Sequence, residues 1–215
     1  FNYSNFYFNN NAQYFEYDIR NYDKIYPLFK DVDFVFHLAA EARIQPAINN
    51  PLHAVAVNTL GTCNILQASR EHKVKRVIYS STSAAYGLKN EPPLKETMSK
   101  DCLNPYSVSK TSGEELCKMY TDLYGLKTIT FRYFNVYGPR QCTRGQYAPV
   151  IGLFLKQKSE GKPMTVVGDG LQTRDYTHVK DVVDANILAT TCNKGFGEMF
   201  NIGTGISYNI LELVD

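Results

Sequence analysis

No apolar run in this 215-residue chain approaches the roughly 18 residues that a membrane-spanning helix needs, and no signal peptide is visible. Cysteine is sparse and odd in number, at positions 63, 102, 117, 142 and 192. No CxxC and no Cys/His ligand spacing appears, so no metal site is expected and a disulfide framework is not indicated. A reduced, cytoplasmic setting is the simplest reading. Neither sign of charge is in excess. The net charge of +2 is too small to make nucleic acid or an anionic membrane the main partner. The densest basic group, "KVKR" at 73–76, reads as a solvated helix end. His37, His53, His72 and His178 share no spacing and read as structural. Internal repeats, low-complexity tracts and long linkers are all missing.

What is present is ordinary globular material. Hydrophobic residues make up 44% and charged residues 20%, in a chain long enough to bury a real core. "VDFVFHLAA" (32–40), "VKRVIYSST" (74–82) and "KTITFRYFNVYG" (127–138) are near-continuous apolar runs. Such runs suit strands buried on both faces of a parallel sheet. Between them lie two helical segments. Residues 50–73 have Pro51 near the start and place Val57, Gly61, Ile65 and Ala68 on one face. Residues 104–125 have Asn104 as N-cap, Pro105 in the first turn and Gly125 at the end. The apolar face of this second segment runs Val108, Leu116, Met119 and Leu123. Alternating strands and helices predict an α/β doubly wound parallel sheet. In the last third, 147–162 and 179–192 read as helices and 163–170 and 198–205 as strands. "ISYNILELVD" reads as the start of another helix.

Candidate chemistry sits in "NPYSVSK" (104–110) and "YSSTSAAYG" (79–87). Residues four apart on a helix share a face, so the Lys110 ammonium can lie near the Tyr106 phenol. A positive charge there favours the phenolate and lowers the tyrosine pKa, making Tyr106 a general base. Alone, this spacing more often marks a plain helix pair. The hydroxyl cluster from Ser80 to Ser83 falls where a buried strand ends, the usual ligand side of an open α/β sheet. Alone, it is an ordinary strand-to-loop turn.

In combination these blocks resemble the extended short-chain dehydrogenase/reductase family, and within it the NAD-dependent nucleotide-sugar epimerases and dehydratases. The resemblance runs from about Asp18 onward. It rests on "YDIRN" (17–21), "VFHLAA" (35–40), "NTLGTCNIL" (58–66), "YSSTSAAYG", "NPYSVSK", "FRYFNVYGPRQ" (131–141), "VVGDGLQTRDYTHVKDV" (166–182) and "FNIGTG" (200–205). It implies Tyr106 as base, Lys110 as its partner and a ligand of the nicotinamide ribose, and Thr82 as the hydroxyl that assists Tyr106. It implies NAD contacts at Asp18, Ile19, Leu38, Ala39, Ala40, Asn58 and Tyr133. For the nucleotide-diphosphate sugar it implies Thr82, Asn135, Gln146, Tyr147 and Arg174. A guanidinium such as that of Arg174 suits phosphate oxygens. Glu41 and Arg43 follow a strand near the sugar side, with no role assigned. The two positions after Thr82 are acidic in dehydratases, and the second is commonly Glu in decarboxylases; here they are Ser83 and Ala84. The expectation is therefore a 4-epimerase of the UDP-glucose/UDP-galactose type. The alternatives are a dehydratase, a reductase, a UDP-glucuronate epimerase or a non-catalytic binding member.

The family's glycine-rich phosphate loop is not found before Asp18. The chain accordingly reads as a fragment, with weak NAD retention expected. The expected division is a partial Rossmann-like domain over 1–138 and part of a substrate domain over 139–195. A strand returning to the main sheet follows in 196–215. The resemblance also implies a homodimer formed through the Tyr106 helix and its neighbour.

Overall fold

The computed structural model describes residues 7–143 and 149–214. In chain order its elements are α1 (Tyr22–Ile25), β1 (Phe34–His37), α2 (Ile44–Asn49), α3 (Pro51–Val55), α4 (Gly61–Glu71), β2 (Arg76–Thr82), α5 (Pro105–Tyr124) and β3 (Thr128–Tyr133). They continue with α6 (Val150–Ser159), β4 (Thr173–Asp175), α7 (Val179–Thr191), β5 (Met199–Ile202) and β6 (Ser207–Asn209). Two units result. One comprises Tyr17–Tyr133 with Asp184–Ile202; the other comprises Phe134–Val183, Gly203–Asp215 and the stretch through Glu16. This partition departs from the expected 1–138, 139–195 and 196–215: the main-sheet unit ends at Tyr133 with β3, resumes partway along α7 at Asp184, and closes with β5.

The first unit is built on a parallel sheet in the order β1-β2-β3-β5. Every residue of β2 is buried. Its side chains alternate between two cores, as a period of two requires. Val77 and Tyr79 join Leu66, Ala68, Cys117 and Tyr120 on one side. Ile78 joins Ile129, Phe131 and Ala189 on the other. Helices α4 and α5 thus cover one face and α7 the other, which is the doubly wound arrangement. β1 is less enclosed than its apolar run suggested: Phe34 and Phe36 are 36% and 44% exposed.

Helix α5 is well terminated. The Asn104 side chain accepts from the Ser107 amide, and Ser107 returns a bond to the Asn104 backbone. Pro105 occupies the first turn, and Gly125 closes the helix with φ at 70°. The face expected to be buried is only partly so, with Leu116 and Met119 packed against the core. Val108 and Leu123 are 47% and 69% exposed. The buried face carries Ser107, Ser109, Lys110, Thr111, Gly113, Glu114, Cys117 and Tyr120. This helix packs on the functional end of β2, where polar groups find partners. The long helix expected over 50–73 is interrupted by a π turn at Ala56–Leu60.

In the second unit, residues 163–170 form an extended segment and turn with no strand pairing. The strand there is instead β4, paired antiparallel with β6. β6 and the turns after it replace the helix expected at the chain's end. The Asp175 carboxylate accepts from the Thr204 amide at 3.0 Å and the Gly205 amide at 2.8 Å, which bends the chain back onto β4.

Candidate active site

Thr82 is the last residue of β2 and lies beside Tyr133 in the register. Its hydroxyl accepts from the Ala84 amide at 3.1 Å, capping the turn Ser83–Tyr86. The phenol of Tyr106 lies close enough for the same hydroxyl to influence its pKa. The structure therefore brings Thr82 and Tyr106 together at the carboxyl end of a central strand. Burial raises the Tyr106 phenol above its ordinary value, and the nearby Thr82 hydroxyl offsets only part of that rise.

Lys110 lies one turn further along α5 and is 3% exposed. Its ammonium sits over the ring of Tyr79, 4.3 Å from the centroid. It does not supply the lowering of the Tyr106 pKa expected from the four-residue spacing. Burial pushes Lys110 itself down to about 8, with Cys117 and Glu114 pulling weakly the other way.

Beneath these residues runs a buried polar network that the sequence reading missed. Arg132 donates to both oxygens of Glu114, at 2.8 and 2.7 Å, and Ser81 donates to Glu114 at 2.6 Å. The Glu114 and Arg132 side chains are 0% and 1% exposed, and Lys100 reaches Glu114 at 3.0 Å. The Arg132 guanidinium stacks on Tyr86, whose hydroxyl donates to Asn201 at 2.6 Å. Ser81 adjoins Thr82, and Glu114 shares a helix with Tyr106, so the network ties the strand that ends in Thr82 to the helix that carries Tyr106. A carboxylate four residues after Lys110 was the available signal for it.

The remaining expected residues fall in several places. Leu38, Ala39 and Ala40 follow β1; Leu38 and Ala39 are exposed and Ala40 is half-buried. The Asp18 carboxylate is engaged by Arg20, whose bonds hold it down at about 2. The carbonyls of Ile19 and Arg20 both accept from Asn64, each at 3.0 Å, so Asn64 ties down the segment that carries Asp18. Asn58 is buried and engaged at both ends of its amide. It accepts from Glu41 and donates to the Glu41 carbonyl and to Ser109. It thus fixes the loop after β1 instead of presenting its amide to a ligand. The Tyr133 hydroxyl is held by Asn186 at 2.8 Å and Ser80 at 3.2 Å. His37 is structural as expected, bonded to Thr62 at 2.8 Å.

In the other unit, Asn135 donates to the Asp175 carbonyl at 2.9 Å. Arg174 is exposed on β4, its guanidinium donating to the carbonyl of Thr173 at 2.7 Å. Its guanidinium has no ion pair among the described residues, including none with Asp175. Gln146 and Tyr147 lie outside the described residues. This unit also holds a cavity of about 390 Å³ lined by Tyr137, Phe154, Met164, Tyr176 and Tyr208. Neither Asn135 nor Arg174 lines it.

Residues 2–203 match the family described as the NAD dependent epimerase/dehydratase family. The chain belongs to this family. A UDP-glucose 4-epimerase from Thermotoga maritima, solved with UDP-glucose, superposes with a TM-score of 0.91 at 36% identity, over 96% of this chain and 67% of that one. A UDP-N-acetylglucosamine 4-epimerase from Methanobrevibacter ruminantium, in complex with UDP-N-acetylmuramic acid, gives 0.91 at 35% identity, over 95% and 65%. A UDP-N-acetyl-alpha-D-glucosaminuronate decarboxylase from Bacillus cytotoxicus is 39% identical, over 89% of this chain and 60% of its own length. The first two curated relatives are matched over 67% and 58% of their lengths.

The epimerase/dehydratase family is NAD-dependent, and the residues present here fit such a cofactor. A buried ammonium with no hydrogen-bond acceptor among the described residues, that of Lys110, suits ribose hydroxyls. The exposed small residue Ala39 beyond β1 permits close approach of a ligand. Among the described residues, no group of histidine, cysteine or carboxylate side chains could hold a metal ion. None of the described helices is long and apolar enough to cross a membrane.

Proposed function

We propose that the protein carrying this chain is a nucleotide-sugar 4-epimerase of the UDP-glucose/UDP-galactose type, with NAD as a bound cofactor and Tyr106 as base. The observation that carries the reading is the placement of Thr82 at the end of β2 with the Tyr106 phenol close by, Lys110 one turn away along α5, and no carboxyl at Ser83 or Ala84. A dehydratase or decarboxylase would need an acid at those positions for proton transfer at the neighbouring sugar carbon.

NAD, when bound, supplies a hydride acceptor for the sugar carbon and a positive charge that favours the phenolate. That charge matters because the chain's own groups leave the Tyr106 phenol raised. Tyr106 takes the proton from the sugar 4-hydroxyl and later returns it. Thr82 orients the phenol and the sugar hydroxyl. Lys110 binds the ribose. Asp18, Ile19 and Leu38–Ala40 lie along the dinucleotide, with Tyr133 close by. Asn135 and the unpaired Arg174 hold the diphosphate, with Gln146 and Tyr147 on the nucleotide side. A homodimer, in the cytoplasm, completes the reading. Leu52, Val55 and Val108, on neighbouring α3 and α5, are 84%, 43% and 47% exposed and suit a helical dimer face.

The test supplies NAD and, separately, UDP-glucose, UDP-N-acetylglucosamine and UDP-glucuronate, with products read by NMR. The expected product is a 4-epimer, without loss of water or carbon dioxide. Tyr106→Phe should lower kcat by about 10²–10⁴-fold. A Tyr106→Phe variant that turns over at the parent rate would refute the assignment.

A further inference from the structure

Tyr79 lies within β2, three residues before Thr82, and is fully buried. Its ring and its hydroxyl converge on one residue. The ring centroid is 4.3 Å from the Lys110 ammonium, and the hydroxyl donates to the Lys110 carbonyl at 3.0 Å. Helix α5 is bare where the ring passes: a Cβ on Gly113 would collide with the Tyr79 hydroxyl. The ammonium has no hydrogen-bond acceptor or ion-pair partner among the described residues. A desolvated cation over an aromatic face is held by the negative face of the ring.

We propose that Tyr79 is a positioning residue for Lys110, its ring seating the buried ammonium and its hydroxyl fixing the helical turn that carries it. The proposal rests on the reading of Lys110 as a cofactor-binding cation and deepens it. The seat keeps a long, flexible side chain in one rotamer. It also favours the charged form that ribose hydroxyls require.

The groups facing this ammonium are His37 from β1, Tyr79 from β2, and Tyr106, Glu114 and Cys117 from α5 itself. His37 is neutral, held down to about 3 by burial and then by the charge of Lys110. Burial holds Cys117 up at about 12, so it too is neutral. Glu114 is paired with Arg132. The ring thus supports the charged form beside Cys117 and Glu114, and it also packs against the neutral His37 at 5.4 Å between centroids. Because the ring favours the protonated state, losing it lowers the lysine pKa.

The test needs neither cofactor nor sugar, so its outcome is separate from that of the functional reading. The chain is labelled with ¹³C at the lysine ε-carbons, and the Lys110 signal is assigned with Lys110→Arg. The parent should titrate at about 8. Tyr79→Leu should titrate roughly one unit lower. Tyr79→Phe, which keeps the ring, should stay within about 0.3 units of the parent on the same argument. Tyr79→Met offers a second variant without a π face if the leucine variant does not fold. Unchanged titration on removal of the ring overturns the proposal. So does a fall in Tyr79→Phe equal to that in Tyr79→Leu, which would assign the effect to the hydroxyl.

Discussion

Replacing Glu114 with Gln should cost the main-sheet unit about 3–5 kcal/mol at pH 7. The figure follows from burial. The Arg132 guanidinium is 1% exposed and its partner side chain 0%. One Arg132 nitrogen, Nη1, is already buried without a partner. Neutralising Glu114 leaves a full positive charge where water cannot reach it, and removes one of two oxygens shared by Arg132, Ser81 and Lys100. Against a typical total of about 5–15 kcal/mol, such a loss is large. Urea unfolding followed by circular dichroism at pH 7 should show the midpoint moving down by about 1–2 M for a slope of about 2–3 kcal/mol/M. The pH dependence supplies an internal check. Burial alone would raise the Glu114 pKa, but bonds from Arg132 and Ser81 and the charges of Arg132 and Lys100 hold it below 4.5. Its contribution is therefore complete above pH 4.5 and is lost as pH falls through the folded-state value. Parent and variant should converge in acid. A midpoint shift below about 0.3 M, or a gap that persists unchanged to pH 3, would refute the reasoning.

Two further outcomes follow from buried neighbours of the same site. Gly113→Ala should destabilise the unit by about 1–3 kcal/mol or more in urea, since the added methyl meets the Tyr79 hydroxyl; an unchanged midpoint would contradict that contact. His37 is held neutral, its pKa pushed from 6.5 to about 3 by burial. An unfolded chain binds that proton below pH 6.5 and the folded one does not, so stability falls as pH drops from 6.5 toward 3. His37→Gln should flatten that stretch of the stability–pH curve by up to about 1.4 kcal/mol per pH unit, and parallel curves would show that the histidine charges within the folded state.

The parts of the fold legible in the sequence were those with a long signature. β2 is buried throughout and β3 in all but its last residue, and both left apolar runs. Helix α5 carried Asn104, Pro105 and Gly125 at its ends. β4 and β6 are three residues each, too short to show a period, and their pairing depends on Asp175 gathering amides some thirty positions later. The buried face of α5 was only partly legible, because apolar residues were assumed to mark it: Leu116 and Met119 pack inward, Val108 and Leu123 do not. Here the inward face meets Ser81, Tyr79 and Arg132, whose polar groups need Glu114 and the Lys110 carbonyl. Within the candidate site, Thr82 ends β2 and Tyr106 lies in the first turn of α5. The place of the Lys110 ammonium was not legible, since a spacing of four residues sets a shared face but not a rotamer.

The most direct test of the central claim uses UDP-glucose deuterated at sugar C4, incubated in ordinary water with NAD and the protein carrying this chain. Oxidation and return of the same hydrogen at C4 predicts UDP-galactose that keeps its deuterium, with Tyr106→Phe forming almost none. Deuterium lost to solvent, a product short of water or carbon dioxide, or equal conversion by Tyr106→Phe would contradict the account.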